Sequence, residues 1–301
     1  MNIRHIGLVG FGEVGQIFGA GLRPQSGIES IAAWDLHFAP GAPQRDAALA
    51  RARSAGIEAR ESMQALCASC DLVISAVTAS NTLAVAQEAA PAMQAGAVFL
   101  DLNSASPGTK QQAAAAIEVG GAHYVEAGVM TSVPPYGIRV PMLLGGAQAA
   151  ALAPVLAGWG MDARCVSDAL GVASAIKMCR SVMIKGLEAL VIESYATARA
   201  YGVEDHVLPT LAETFPSIDW NAQGAYFFSR VVQHGKRRAE EMREAANTVR
   251  EAGFEPLMTA AIADKQQWVA DGAARGVFQD IPKGARWQDY ADRLLGEREQ
   301  P

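Results

Sequence analysis

Positive charge is in short supply. Of 301 residues, 25 are Lys or Arg against 31 Asp or Glu, the net charge is -6, and only 19% of side chains are charged. Such a balance provides no long-range field for nucleic acid or an anionic membrane, so any anion must be held by a local site. Long apolar runs are missing too: each is broken by a charge, Gly or Pro before the roughly 18 residues that a membrane span needs. The N-terminus reads as a strand running straight into glycines, not as a targeting segment. A cytoplasmic protein with neither nucleic-acid nor membrane partners is expected.

Cysteine is sparse, with four in the chain. Cys67 and Cys70 form a lone Cys-x-x-Cys, which suggests a redox pair or half a zinc site; no second ligand pair or nearby His completes it, and buried reduced thiols are the expectation, with no metal. No repeat of 20 to 50 residues is visible, and the Ala-rich stretch 113–116 reads as helix filler. What is present is apolar: half of the residues are hydrophobic, enough for a full core, which excludes a disordered or collagen-like chain. The length is a prior for two domains.

The run Ile3 to Val9 is apolar and β-branched, ends in Gly10-Phe11-Gly12-Glu13-Val14-Gly15, and passes into Gln16 to Leu22 at helical spacing. Further short apolar runs at 28–34, 72–77, 97–100 and 124–129 alternate with Ala-rich helical stretches. This predicts a doubly wound, parallel α/β sheet. Segments 39–43 and 132–137, the latter with Pro134-Pro135, read as irregular. From about Gly171 the character changes. Ala173 to Tyr201 contains no Pro and one Gly, which predicts a helix of about 30 residues where about 12 is usual. Helices are also expected at 240–252 and 260–271, and fraying at Glu297 to Pro301. The predicted architecture is an N-terminal α/β domain over 1–168 and an all-helical domain over 169–301, joined by one long helix.

A glycine triplet at this spacing is weak alone. Here it follows a strand, opens a helix, and is followed about 20 residues later by Asp35 at the end of the next strand, which is the full dinucleotide pattern. Gly10 permits the tight turn, Gly12 lets a pyrophosphate approach the backbone, and Gly15 allows close helix packing. Phe11, Glu13 and Val14 bring free helix N-terminal N–H groups to the phosphates. Asp35 would accept from the adenine-ribose hydroxyls and repel a 2′-phosphate, favouring NAD over NADP, with His37 and Arg45 near enough to temper that. Val77 and Thr78, and Asn103 and Ser104, lie at later strand ends, where such sheets bind ligands.

Lys177 lies one to two turns into the long helix among apolar neighbours, hence desolvated or at a cleft. Ser181 follows one turn later on the same face, with Lys185 and Glu188 at further helical offsets; a solvated polar stripe is the ordinary reading of such residues. The basic cluster His234 to Arg238 is either an anion site or a solvated turn before the helix at 240. Trp220, Tyr226, Phe227 and Phe228 are core residues for the most part, or else an aromatic wall.

In its glycine triplet, its Val77-Thr78 loop, its Asp101-x-Asn103-Ser104-x-x-Pro107 loop and the lysine segment from Gly171, the chain resembles the β-hydroxyacid dehydrogenases over nearly its whole length. That group contains the 3-hydroxyisobutyrate, tartronate semialdehyde and 6-phosphogluconate dehydrogenases. The resemblance implies a Rossmann domain, a nicotinamide cofactor, a small hydroxy-acid or carbonyl substrate, and Lys177 as general acid/base with Ser181 where the family has Asn. It places substrate on Asn103, Ser104, Thr131 and Ser132. The family's Asp-x-Pro-Val-Ser-Gly-Gly loop corresponds to Glu126 to Ser132, with Met130 in place of the serine, and Arg237 to Met242 replaces its Lys–Asp dyad. These departures mark a divergent branch. Imine reduction and a non-catalytic nucleotide sensor are the alternatives; imine reductases of this architecture usually replace the lysine. A homodimer or homotetramer is expected, because so long a helix exposes apolar faces.

Overall fold

Strand β1 (His5–Val9) runs into the glycine turn and helix α1 (Glu13–Leu22), as the apolar run and its change of period require. The computed structural model describes residues 1–298; the rest of the segment expected to fray lies outside the described residues. The chain divides into two compact units, Met1–Met178 and Cys179–Pro301.

In the first unit, β2 (Ser30–Trp34), α2 (Arg45–Ser54), β3 (Glu58–Ala59), α3 (Met63–Cys67), β4 (Leu72–Ser75), α4 (Thr82–Ala89), β5 (Val98–Asp101), α5 (Pro107–Glu118) and β6 (His123–Val129) follow α1. Then come β7 (Met142–Gly145), α6 (Ala149–Gly158) and β8 (Ala163–Ser167). The sheet order is β3-β2-β1-β4-β5-β6-β7-β8, which reverses direction of growth between β1 and β4. Strands β4 and β5 are buried along their whole length, which explains why they read as unbroken apolar runs.

The expectation of a wholly parallel sheet is corrected at one place. Strand β7 is antiparallel to β6, with Val129 opposite Met142, and β8 runs parallel to β7. A parallel return needs a crossover, usually a helix. The connection between β6 and β7 holds Pro134-Pro135 and a single 3-10 turn at Gly137–Arg139, and the Met130 N–H closes it onto the Pro141 carbonyl at 2.9 Å.

Helix α7 (Val172–Tyr201) has the 30 residues expected and carries the boundary between the units. The second unit continues with α8 (Glu204–Thr214), α9 (Trp220–Glu251), α10 (Leu257–Ala274) and α11 (Trp287–Arg298). Helix α9 corrects the sequence reading: it runs unbroken for 32 residues, so His234 to Arg238 lie in mid-helix and not in a turn. Gly235 does not break it because the space is needed; a Cβ there would stand 2.9 Å from the Gln266 carbonyl of α10. Trp220, Phe227 and Phe228 join Tyr195 and Trp287 in the core of this unit, while Tyr226 is exposed.

Cys67 and Cys70 are buried free thiols, pushed up by burial to about 12 and about 11 and so held as unreactive SH groups. Cys165 and Cys179 are exposed, contrary to a general expectation of burial. Among the described residues, no helix is long and apolar enough to cross a membrane.

Candidate active site

The glycine turn sits at the carboxyl ends of β1 and β4. Gly10 has φ +87°, and a Cβ on it would lie 2.5 Å from the Ala76 carbonyl oxygen, so only glycine lets the two strand ends come this close. A Cβ on Gly15 would run into the Gly10 carbonyl. Gly12 is different: its missing Cβ faces open space, with nothing within 4 Å. It is also the N-cap of α1 without any capping side chain, leaving first-turn N–H groups for an anion. Asp35 Oδ2 accepts from the Phe11 N–H at 2.7 Å and Oδ1 from the His37 N–H at 2.8 Å. The carboxylate is therefore clamped beside the turn, with lone pairs left for ribose hydroxyls. This open cradle, uncapped helix end and fixed carboxylate fit a dinucleotide. Phe11 offers its backbone only, since its ring packs on Phe38 with centroids 5.9 Å apart. Glu13 is exposed and Val14 half-buried on α1. The Arg45 Nε–H donates to the Phe38 carbonyl at 3.1 Å.

The loops after β4 and β5 are tied together by Asn103. Its Oδ1 accepts from the Val77 N–H at 2.7 Å and its Nδ2 donates to Ser75 Oγ at 3.0 Å. The buried Asn103 thus clamps the Val77 loop, while Thr78 is exposed and bonds to Ser80 and Asn81. Asn103 is held from behind by Asp101, whose Oδ1 accepts from its N–H at 2.8 Å. Asp101 is in turn paired with the buried Lys110 at 3.0 Å and accepts from the Tyr124 hydroxyl at 2.5 Å. Burial, then the adjacent Asp101 charge, hold that phenol well above its ordinary range.

Lys177 reaches this edge: its Nζ donates to Ser104 Oγ at 2.5 Å. Glu126 sets the helix that carries it. The fully buried Glu126 carboxylate accepts through Oε1 from the Gly171 and Ala173 N–H groups, at 2.8 and 3.0 Å, capping the start of α7 and complementing its dipole. Oε2 has no hydrogen-bond partner. Gly128 on the same strand is required by the same approach, since a Cβ there would be 2.8 Å from the Ala173 carbonyl. Thr131, exposed, and Ser132, half-buried, follow the carboxyl end of β6. In the sequence Glu126 stands out only as the first residue of the segment that corresponds to the family's substrate loop; its capping role has no local signature, because its partners lie 45 and 47 residues away.

In the second unit, the solvated stripe expected of Ser181, Lys185 and Glu188 is overturned. They are 7%, 6% and 1% exposed. Lys185 Nζ donates to Ser181 Oγ at 3.3 Å and pairs with Glu241 of α9 at 2.7 Å. Glu188 pairs with Arg238 at 2.9 Å and accepts from Gln266 Nε2 at 3.2 Å. Burial raises the Glu188 carboxyl from its ordinary value in spite of Arg238. Meanwhile Met183 and Leu190, on the opposite stripe, are 66% and 54% exposed. The signal was available: polar residues at 181, 185 and 188 and apolar ones at 183, 187 and 190 form two clean stripes, and only partners on α9 and α10 decide which one faces inward.

The NAD binding domain of 6-phosphogluconate dehydrogenase matches residues 5–171, and a domain of unknown function (DUF1932) matches residues 198–269. The chain is 38% identical to a conserved hypothetical protein from Sinorhizobium meliloti 1021, whose solved structure aligns with a TM-score of 0.76 over 98% of this chain and 97% of that one. It is 26% identical over 260 residues to an uncharacterized 28.5 kDa protein of Methanothermus fervidus, covering 84% of this chain and 94% of the relative. Mycobacterium tuberculosis 3-hydroxyisobutyrate dehydrogenase, solved with L-serine, shares the fold at 16% identity, with a TM-score of 0.69 over 98% of this chain and 99% of that one.

Proposed function

The chain belongs to the family of the NAD binding domain of 6-phosphogluconate dehydrogenase, and on that premise we propose that it is an NAD-dependent oxidoreductase acting on a small 3-hydroxy acid or its carbonyl form. The observation that carries the reading is the bond from Lys177 Nζ to Ser104 Oγ, which brings a lysine to the strand end beside the loop that Asn103 clamps.

Gly10, Gly12, Gly15 and the start of α1 would hold the pyrophosphate, Asp35 the adenine ribose, and the Val77-Thr78 and Asn103 loops the nicotinamide half. The bound dinucleotide supplies the hydride acceptor or donor. Lys177 does the proton chemistry: as a free amine it takes the hydroxyl proton while the C–H electron pair departs as hydride and the C=O bond forms. In reduction the ammonium returns that proton to the oxygen. Ser104, Thr131 and Ser132 offer donors to the substrate carboxylate, and Ser181, one turn beyond Lys177, offers a hydroxyl to the reacting oxygen. The fixed Asp35 carboxylate would repel a 2′-phosphate, which supports NAD over NADP. Retention of lysine favours a hydroxyl or carbonyl substrate over an imine.

The test is a thermal shift with NAD, NADP and their reduced forms, followed by a hydroxy-acid screen by absorbance of the reduced nicotinamide. Ligand at about 100 times its Kd adds roughly 2.7 kcal/mol of stability. The NAD pair is expected to raise the melting temperature, Asp35→Ala to abolish the rise, and Lys177→Met to abolish turnover while leaving the rise intact. Binding together with turnover indifferent to Lys177→Met would overturn the acid/base assignment. Binding without any turnover would favour a nucleotide sensor.

A further inference from the structure

The segment that carries Thr131 and Ser132 is not a loose strap between β6 and β7. The Met130 N–H closes its ends onto the Pro141 carbonyl at 2.9 Å, and the Tyr136 and Gly137 N–H groups both donate to the Val133 carbonyl, at 2.9 and 2.8 Å. Val133 and Val140 are buried. Between them the loop rests on α1. A Cβ built on Gly21, in the last turn of that helix, would stand 2.5 Å from Ile138 Cγ2 and 3.3 Å from Ile138 Cγ1, so the Ile138 side chain fills the space that any other residue at 21 would need. Glycine weakens a helix interior, yet one stands here near the end of a ten-residue helix, and this side chain is the reason. Ile138 is branched at Cβ and stiff at χ1, so clearing a filled notch would require the loop itself to move.

Helix α1 therefore has a task at each end. Its N-terminus, uncapped and open at Gly12, is where the dinucleotide is proposed to sit; its last turn holds the loop. Within the loop, Pro134 and Pro135 have no N–H to offer an anion, whereas Thr131 is exposed and Ser132 half-buried just past the carboxyl end of β6. Lys177 lies against the same strand, since a Cβ on Gly128 would be 3.5 Å from Lys177 Cβ. The turn at Val133 and the closure of Met130 onto Pro141 leave the loop little internal freedom, so a displacement at Ile138 is carried to Thr131 and Ser132.

We propose that Ile138, seated against Gly21, is a positioning residue that sets the Thr131 and Ser132 donors for the substrate carboxylate, so that the helix that holds the cofactor also gauges the substrate site. The inference rests on the function proposed above and names the device that registers one half of that site against the other. The carboxylate is remote from the reacting carbon and is held alike before and during hydride transfer. A displaced loop then weakens binding and spares the chemical step, a loss that appears in KM and not in kcat.

The experiment measures oxidation of 3-hydroxypropanoate, 3-hydroxyisobutyrate and L-serine by the full-length chain with NAD and NADP, beside amide hydrogen exchange of the loop without substrate, in Gly21→Ala, Ile138→Ala and the double variant. Gly21→Ala is expected to raise KM at least about tenfold with kcat within about twofold of wild type, and to leave the thermal shift with the dinucleotide in place, because the glycine turn is untouched. Ile138→Ala empties the notch and should raise KM as well. The double variant is decisive. A Cβ at position 21 stands 3.4 Å from Ile138 Cβ, an ordinary contact, so Gly21→Ala/Ile138→Ala keeps the loop packed and should bring KM back to within about threefold of wild type. Exchange of the Tyr136, Gly137 and Val140 N–H groups should be faster in both single variants and return toward wild type in the double one.

Wild-type KM in Gly21→Ala, a fall in kcat with KM kept, unchanged exchange in the single variants, or a double variant no better than either single one would overturn the inference while the proposed function stands. Should Gly21→Ala not fold, Ile138→Ala against the double variant decides, and a KM no lower in the double variant overturns the inference. Turnover of none of the three acids by the wild-type chain, or an active Lys177→Met, would instead bring down the underlying reading and this inference with it.

Discussion

Glu126 and His234 each have consequences that belong to single side chains. Glu126 satisfies two N–H groups at the start of α7. Glu126→Ala leaves both buried without an acceptor, at roughly 1–3 kcal/mol each, whereas Glu126→Gln keeps an acceptor oxygen in the same place. Chemical denaturation should find the Ala variant clearly destabilised and the Gln variant much closer to wild type. At His234, burial and then Arg230, Arg237 and Arg238 lower the imidazole from 6.5 to about 4, opposed only by Glu241. The folded state therefore binds the proton less readily than the unfolded one. The stability this contributes is complete above pH 6.5 and is lost as pH falls toward 4. Denaturation of wild type and His234→Gln across pH 7 to 4 should show the wild type losing more stability over that window; equal losses would remove His234 as the cause. At this scale Gly10, Gly15 and Asp35 were legible because their constraint is local: a positive φ, a close approach, a strand end. Glu126 was not, because a carboxylate in a strand becomes a helix cap only when that helix arrives.

Two helices set the second unit, and both departed from a first reading of their sequence. In the sequence alone, 234–238 stands open between an anion site and a solvated turn ahead of a helix at 240, and glycine inside a helix costs about 1 kcal/mol relative to alanine. The structure keeps it because α10 lies against it. Gly235→Val should therefore be destabilising by about 1–3 kcal/mol through overpacking, although helix propensity alone would favour valine; urea titration of the two proteins decides between these signs. Helix α7 is turned around relative to its composition, with Lys185 and Glu188 inside and Met183 and Leu190 outside. Its length was readable from the absence of Pro and the recurrence of apolar residues. Its inward face was not, because periodicity locates stripes but does not say which stripe meets a partner.

For the molecule as a whole, the exposed α7 stripe of Met183, Leu187 and Leu190 supports self-association, since apolar residues at this spacing form a self-complementary helix face. Sedimentation should show the wild-type chain as a dimer or tetramer, and Met183→Glu/Leu190→Glu as a smaller species; a wild-type monomer would refute the proposal. The sequence by itself determined the alternation of strands and helices, the glycine turn with its acidic partner, and the position of Lys177 on a long helix. Each of these is written within a window of a few dozen residues, where backbone conformation and side-chain period leave their mark. Tertiary structure alone decided that β7 runs against β6, that Asn103 closes two loops, and that Lys185 and Glu188 lie inside, paired with Glu241 and Arg238. The reason is desolvation. A buried charge is tolerable only beside its counter-charge, and that counter-charge comes from a segment some fifty residues away, beyond the reach of any local pattern.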